Sequence, residues 1–114
     1  MAAGSIRMTT ATLKVLEVLA AAGPAEPPFG LRICDVAGLG SGTVYPILDR
    51  LERAGWVIGE WETGQPAGRP RRRGYRLTGA GQAGYDRALA RIAERRARRR
   101  WDLAGDARGA EAAR

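Results

Sequence analysis

The residues of this chain best suited to chemistry are its arginines. Of the 114 residues, 19 are basic and 12 acidic, which gives a formal net charge of +7, and Lys14 is the only lysine. The planar guanidinium donates paired hydrogen bonds to phosphates and to guanine edges. The composition therefore favours nucleic acid as the partner, although a codon bias toward arginine, alanine and glycine would produce the same numbers.

The groups that build most catalytic and metal sites are missing. The sequence has no histidine and one cysteine, Cys34, so neither an intrachain disulfide nor a Cys/His zinc site can form. No acid, base and nucleophile can be combined from the remaining residues, and we expect no enzyme, no metal and no cofactor. We interpret Cys34 as a small buried residue rather than a redox sensor.

The sequence shows no membrane or export signal. No run of about 18 apolar residues exists, so no membrane span is predicted. Residues 1–10 lack the apolar core of a signal peptide. We therefore expect a cytoplasmic protein.

The stretch Gly40–Trp56 predicts a helix whose two faces differ in chemistry. Its apolar residues recur at helical spacing and are Val44, Ile47, Leu48, Leu51 and Ala54. Ser41 or Thr43 is placed to cap its first turn, and Gly55 to end it. The opposite face carries Gly42, Pro46, Asp49 and Arg53, flanked by Thr43, Tyr45 and Arg50. Small polar groups followed by arginines suit the DNA major groove, whereas the alternative is an amphipathic helix with a solvated outer face.

The segments around this helix predict a winged helix-turn-helix. Helices are expected from a Thr9 or Thr10 cap to about Ala22 and over Gly30–Ala37, followed by a tight glycine turn. The glycines of residues 38–42 follow no strand and precede no Gly-Lys-Ser/Thr, so a phosphate-binding loop is not predicted. Residues 56–62 and 72–78 read as two strands of a hairpin, the wing. Its loop is crowded with arginines that either contact DNA or form a solvated charge run.

A long final helix follows, capped by Thr78 and reaching about Trp101, roughly 35 Å in length. Apolar residues recur every four positions at Tyr85, Leu89, Ala93, Ala97 and Trp101, with Ala88 and Ile92 beside them. A narrow apolar stripe on an extended helix is most simply buried against a second copy of the chain. The predicted divisions are a DNA-binding domain at 8–78, a dimerisation helix at 79–103 and a disordered tail at 104–114.

Three segments together resemble the PadR family of transcriptional regulators. They are Gly42-Thr-Val-Tyr-Pro-Ile-Leu-Asp-Arg-Leu-Glu52, Gly55-Trp-Val57 and Arg71-Arg-Arg-Gly-Tyr-Arg-Leu-Thr78, with Gly81 shortly after. The resemblance covers residues 9–103. It implies an α+β, mainly α fold, in which a winged helix-turn-helix with a two-stranded wing precedes a long C-terminal dimerisation helix. It also implies a homodimeric repressor that binds double-stranded DNA at a near-palindromic operator.

The resemblance places DNA contacts at the start of the 41–53 helix and in the wing. Together with the exposed face described above, the predicted contacts are Ser41, Thr43, Tyr45, Pro46, Asp49, Arg50, Arg53, Arg69, Arg71, Arg72 and Arg73. Asp49 stands where the family usually has a basic residue, and an aspartate can accept from a cytosine amino group. Gly74 replaces an aromatic residue usual before Tyr75, and Leu31 follows Gly30 where a tyrosine is common.

The predicted dimer contacts are Tyr85, Leu89, Ile92, Ala93 and Trp101. Some members of the family bind flat aromatic ligands against a tryptophan between the C-terminal helices, so Trp101 is also a candidate effector contact. The alternative, which we prefer, is that Trp101 simply packs in the dimer interface or covers the first helix. Two other functions stay open: non-specific nucleic-acid binding through arginine charge, and membrane-surface or partner binding by the basic helix 85–101.

Overall fold

The computed structural model describes residues 6–23 and 26–112, and its elements follow the predicted order. The helices are α1 (Thr10–Ala22), α2 (Gly30–Ala37), α3 (Ser41–Arg53) and α4 (Gly79–Ala112). The strands are β1 (Val57–Trp61) and β2 (Arg73–Leu77), paired antiparallel. The chain is therefore α+β, mainly α, with a helix-turn-helix, a two-stranded wing and a long C-terminal helix, which confirms the predicted fold class.

The helix ends follow simple capping chemistry. The Thr9 hydroxyl accepts from the Thr12 amide at 3.1 Å and caps α1. Gly38 ends α2 in the left-handed region, and Gly55 does the same after α3. The predicted cap of α3 by Ser41 or Thr43 is wrong, because the helix begins at Ser41 and the capping position belongs to Gly40, which has no side chain.

The core lies between α1, α2, α3 and the inner face of the hairpin. It is formed by Val15, Leu16, Leu19, Ile33, Cys34, Val44, Ile47, Leu48, Leu51, Ala54, Trp56, Val57 and Tyr75. All five predicted core residues of α3 are buried, and so is Cys34. The apolar spacing of α2 also predicts an inward orientation for Leu31, which is wrong, because Ile33 and Cys34 occupy the core-facing side and leave Leu31 exposed.

The hairpin is fixed by its register and by a short third segment. Gly59 pairs with Tyr75, and Trp61 pairs with Arg73, so these residues share the hairpin face that begins at buried Val57. On the other edge of β2 the Tyr75 amide donates to the Pro28 carbonyl at 3.0 Å. A Cβ atom at Gly74 would lie 3.2 Å from Pro27, which is a tight contact. The glycine that departs from the family pattern therefore lies where β2 runs close to this segment.

The start of α4 is held against the end of α3 through Thr78 and two glycines. The Thr78 hydroxyl donates to the Gly55 carbonyl at 2.6 Å and accepts from the Gly81 amide at 3.1 Å, which confirms its predicted capping role. A side chain at Gly81 would overlap the Trp56 carbonyl, and one at Gly84 would overlap the Trp56 ring. These glycines allow the close approach of α4 to Trp56 and do more than weaken the helix.

Beyond the body of the fold, α4 continues as one helix to Ala112. The prediction of a disordered tail from residue 104 is wrong for residues 104–112, and residues 113–114 lie outside the described part. No proline interrupts this stretch, and a glycine such as Gly105 costs only about 1 kcal/mol in a helix otherwise rich in good helix formers. The helix is about 50 Å long, and the longest dimension of the chain is 77 Å. No helix among the described residues is long and apolar enough to cross a membrane.

Two segments lie partly outside the described residues. Residues 1–7 are small and weakly patterned and predict a frayed start, and the structure describes only residues 6 and 7 of them. Residues 23–29 predict a stiff, proline-rich connection, of which residues 24 and 25 lie outside the described part.

We expect Gly81→Ala to lower the free energy of unfolding by about 1–3 kcal/mol, because the added methyl group meets a backbone carbonyl that cannot rotate away. Gly79→Ala is the matched control, since a Cβ atom there meets nothing within 4 Å and the change should stay within about 0.5 kcal/mol. Urea denaturation of both variants measures the difference. Equal stabilities would contradict the close approach at Gly81.

Candidate nucleic-acid interface

The outward face of α3 carries all seven DNA contacts predicted on this helix. Ser41, Thr43, Tyr45, Pro46, Asp49, Arg50 and Arg53 are all exposed. The buried residues on the opposite side of the same helix, from Val44 to Leu51, determine this orientation. The structure therefore brings the predicted small and polar residues and the two arginines together on one surface.

Tyr45 is held in place by a glycine of the preceding helix. A side chain at Gly30 would overlap the Tyr45 ring and hydroxyl, so the ring lies directly on the backbone at the start of α2. Tyr45 remains partly exposed in this position. Sequence reasoning selected Tyr45 but missed Gly30, whose role depends on a contact between two helices.

Asp49 and Arg53 form an ion pair along the exposed face. Arg53 Nη2 lies 3.0 Å from Asp49 Oδ2, one helical turn away, and both side chains are more than half exposed. Exposed pairs of this kind contribute about 0–1 kcal/mol. A phosphate or a base edge can therefore replace either partner at little cost.

The wing loop is organised by the carboxylate of Glu62. Its two oxygens lie 3.0 Å from Arg69 Nη2 and 2.7 Å from Arg72 Nη2. The Glu62 amide also donates to the Arg72 carbonyl at 2.7 Å, which closes the loop. The hydrogen bond from Arg72, followed by that from Arg69, outweighs desolvation and lowers the pKa of Glu62 below its ordinary value. Glu62 thus neutralises part of the charge that the sequence concentrates here.

Arg73 is directed back toward α3. Its Nη2 donates to Glu52 Oε2, so this side chain joins the wing to the helix that carries the predicted base contacts. Arg73 and Glu52 are 21 positions apart in the sequence. No pattern in the sequence marks this pair.

Arg71 differs from the other three wing arginines. Its guanidinium lies 5.4 Å from the centre of the exposed Trp61 ring, and Nε donates to the Glu62 carbonyl at 3.4 Å. Within the described part of the chain, the ion pairs of the wing loop involve Arg69, Arg72 and Arg73 but not Arg71. The structure therefore places all four arginines in the wing and leaves Arg71 exposed and without a carboxylate partner.

Tyr45 and the wing face a common cleft of about 330 Å³. Phe29 and Leu31 line one side of it, and Trp61 and Arg71 line the wing side. The arrangement joins the start of α3 to the wing in one concave, positively charged surface. No cluster of potential metal ligands occurs among the described residues.

The predicted dimer contacts on α4 do not share one face. At about 100° per residue, residues four apart drift by about 40°, so Trp101 lies about 160° around the helix from Tyr85. Tyr85 itself packs against the core of its own domain, and burial raises its pKa. The predicted apolar stripe does not hold Tyr85 and Trp101 on one face of α4, because a four-residue period departs from the 3.6 residues of an α-helical turn.

Leu103 is the residue that this reasoning missed. It lies about five helical turns beyond Tyr85 and so returns to the same face, together with Leu89 and Ile92. Leu89 and Leu103 are 44% and 63% exposed. Ala93 is also exposed, on the flank of this face. Counting 3.6 residues per helical turn from Tyr85 identifies Leu103 from the sequence alone.

Comparison with known proteins agrees with this geometry. The chain matches the transcriptional regulator PadR-like family over residues 25–87, which is more than half of its length. It belongs to the PadR-like family. The resemblance stated from the sequence is confirmed, and because the family consists of transcriptional regulators, so is the expectation that the chain is not an enzyme.

Solved structures share the fold of this PadR-like chain. A PadR-like transcription factor from Bacteroides fragilis is 27% identical, with a TM-score of 0.59 over 73% of this chain and 80% of that one. The transcriptional repressor CouR, bound to a 23-mer DNA duplex, is 24% identical, with a TM-score of 0.66 over 82% and 61%. PcaV from Streptomyces coelicolor, in complex with its natural ligand, is 24% identical, with a TM-score of 0.65 over 81% and 60%.

The chain therefore spans about three fifths of the length of CouR and of PcaV. No curated protein sequence matches it.

We expect Glu62→Gln to lower the melting temperature at pH 7 and to do so less as the pH falls. The folded-state pKa of Glu62 is below its ordinary value of 4.5, so the ionised carboxylate stabilises the fold fully above that pH. This contribution is lost as the pH falls through the folded-state pKa. Differential scanning calorimetry of both proteins between about pH 7 and pH 3 measures the difference.

Glu60→Gln is the control for this experiment, because it removes a more exposed carboxylate of the same hairpin that pairs with Arg76. A melting difference for Glu62→Gln that stayed constant at every pH would show that its carboxylate charge does not stabilise the loop.

Proposed function

We propose that this PadR-like regulator is a sequence-specific DNA-binding repressor that acts as a homodimer on a near-palindromic operator. The observation that carries the proposal is the single surface formed by the outward face of α3 and the wing. The exposed residues at the start of α3 suit base contacts in the major groove, and Arg71 suits a phosphate or the adjacent minor groove. Acting on DNA, the protein would work in the cytoplasm.

Base readout is assigned to the first two turns of α3. Ser41, Thr43 and Tyr45 offer hydroxyl groups, and Pro46 offers an apolar surface suited to a thymine methyl group. Arg50 and Arg53 follow on the same face and supply charge. The ion pair between Asp49 and Arg53 is exposed and weak. The Asp49 carboxylate can therefore release Arg53 and accept a hydrogen bond from a cytosine amino group instead.

The dimer is assigned to the distal half of α4, through the face shared by Leu89, Ile92 and Leu103. Leu89 and Leu103 are exposed apolar groups on a helix that extends beyond its own domain. A second copy related by two-fold symmetry would cover this face. Such a dimer should place its α3 helices about 34 Å apart, one turn of DNA.

The first test is fluorescence anisotropy with two duplexes at two salt concentrations. One duplex is the DNA directly upstream of the protein's own gene, and the other is a scrambled version of it. We expect a preference of about a thousandfold for the upstream duplex that persists at the higher salt concentration. Equal affinities that collapse together as salt rises would instead support non-specific binding through arginine charge.

The second test concerns the dimer. We expect Leu89→Glu to convert the protein to monomers and to weaken operator binding by more than about tenfold, because it places a charge in the apolar face. Ala90→Glu adds the same charge about 100° away and should leave both properties nearly unchanged. Sedimentation equilibrium and anisotropy measure the two effects. A Leu89→Glu protein that remained dimeric would place the interface elsewhere.

An aromatic effector is tested separately at Trp101. This side chain is exposed, and the structure of PcaV holds a natural ligand. Quenching of tryptophan fluorescence by aromatic acids, lost in Trp101→Ala while the dimer persists, would establish an effector contact. Loss of the dimer in that variant would instead assign Trp101 to packing.

A further inference from the structure

We propose that the ion pair between Arg73 and Glu52 sets the position of the wing relative to α3. Arg73 is then a positioning residue for DNA recognition, whereas its neighbour Arg71 is the DNA contact of the wing. This inference rests on the proposed DNA-binding function and divides the wing arginines into two roles that the sequence does not distinguish.

The Arg73 side chain crosses the hairpin to reach α3. The residue lies at the distal end of β2, opposite Trp61, and its guanidinium lies 5.3 Å from the Trp61 ring centre and 5.9 Å from that of Tyr75. It crosses β1 at Gly59, where a Cβ atom would overlap Arg73 Nε. From there it reaches Glu52 in the last turn of α3. The glycine provides the space through which the wing and the helix are joined.

The Arg73–Glu52 ion pair is more shielded from water than the ion pair on the exposed face of α3. The Arg73 and Glu52 side chains are 29% and 34% exposed, compared with 78% and 55% for the Arg53–Asp49 pair on α3. The Nε atom of Arg73 is buried and has no hydrogen-bond partner among the residues that the structure describes. An ion pair shielded from water is stronger than an exposed one. Arg73 therefore has a carboxylate partner and little surface to offer a phosphate.

Arg71 differs from Arg73 in its exposure and in its partners. Arg71 is exposed, and its nearest partners in the wing are the Trp61 ring and a backbone carbonyl. A guanidinium stacked on an aromatic ring keeps its N–H edges available for hydrogen bonds. Stacking also limits its rotamers, so less entropy is lost when it binds a phosphate.

The Arg73–Glu52 pair adds a link at the distal end of the hairpin, beyond its buried apolar side chains and its backbone contact with Pro28. Val57 and Tyr75 are buried, whereas Trp61 at the distal end is half exposed. A two-stranded hairpin is only marginally stable without such packing. The Arg73–Glu52 pair holds the distal half of the wing at a defined distance from the start of α3, and the spacing of major- and minor-groove contacts depends on that distance.

Glu52→Gln separates this proposal from simple electrostatics. Removing a negative charge beside the DNA-binding surface should tighten DNA binding if charge alone matters. If the pair positions the wing, the same substitution should weaken operator binding by about tenfold, comparable to one mismatched base pair. Anisotropy with the operator and scrambled duplexes measures both. Operator binding that is tighter than, or equal to, that of the wild type would overturn the proposal.

Arg71→Gln and Arg73→Gln are a matched pair, because each removes one positive charge from the wing at positions two residues apart. We expect Arg71→Gln to reduce the slope of log K against log salt by about 1, as expected for one lost phosphate contact. Arg73→Gln should weaken operator binding with an unchanged slope, and Glu52→Gln should add little to it. A slope reduced equally by Arg73→Gln would make Arg73 a DNA contact and overturn its positioning role.

Gly59→Ala tests the path without changing any charge. The methyl group should displace the flexible end of Arg73 and weaken operator binding by about tenfold, while the melting temperature changes little. Gly105→Ala, where a Cβ atom meets nothing within 4 Å, is the control. Unchanged operator binding by Gly59→Ala would count against a positioning role for the Arg73–Glu52 ion pair. If the wild-type protein shows no preference for the operator, the proposed function is overturned. If the wild type does prefer the operator, the results for these variants test only the role of the Arg73–Glu52 ion pair.

Discussion

The burial of one face of α3 is the constraint on which the rest of the structure depends. Val44, Leu48 and Leu51 are almost fully removed from solvent, and each contributes on the order of 1.5–3 kcal/mol of hydrophobic free energy. Since a helix is rigid, burying these residues fixes the direction of the opposite face. The predicted DNA contacts on α3 are thus presented to solvent by residues that are themselves buried in the core. The Tyr45 ring lying on Gly30 ties this face to α2.

A second constraint is the electrostatic cost of placing four arginines in one short loop. The fold meets it with two carboxylates from different segments: Glu62, directly after β1, and Glu52, in the last turn of α3. The consequence is that the basic wing is internally organised and not merely solvated. Much of its formal charge is neutralised in place, and the exposed guanidinium of Arg71 remains beside Trp61.

Glycine has an unexpected structural role in the second half of the chain. At Gly81 and Gly84 the helix approaches Trp56 too closely for a side chain, and at Gly59 the arginine of the neighbouring strand crosses the backbone. Glycine is intrinsically unfavourable inside a helix or a strand. In the structure these glycines allow α4 to dock and the wing to reach α3.

The sequence alone determined the order and type of the elements, because hydrophobic periods, glycine stops and a threonine cap are local properties. The family motifs lie within these elements, which is why the resemblance and the outward face of α3 could be stated beforehand. The predicted end of α4 is wrong, since weak local signals predict a stop where nothing ends the helix. The predicted apolar stripe does not stay on one face, because four residues do not equal one turn. Only the tertiary structure decided which wing arginines are paired, since the contact between Arg73 and Glu52 spans 21 positions and passes over Gly59. Charge pairing across such distances depends on packing geometry, and no local pattern of residues encodes it.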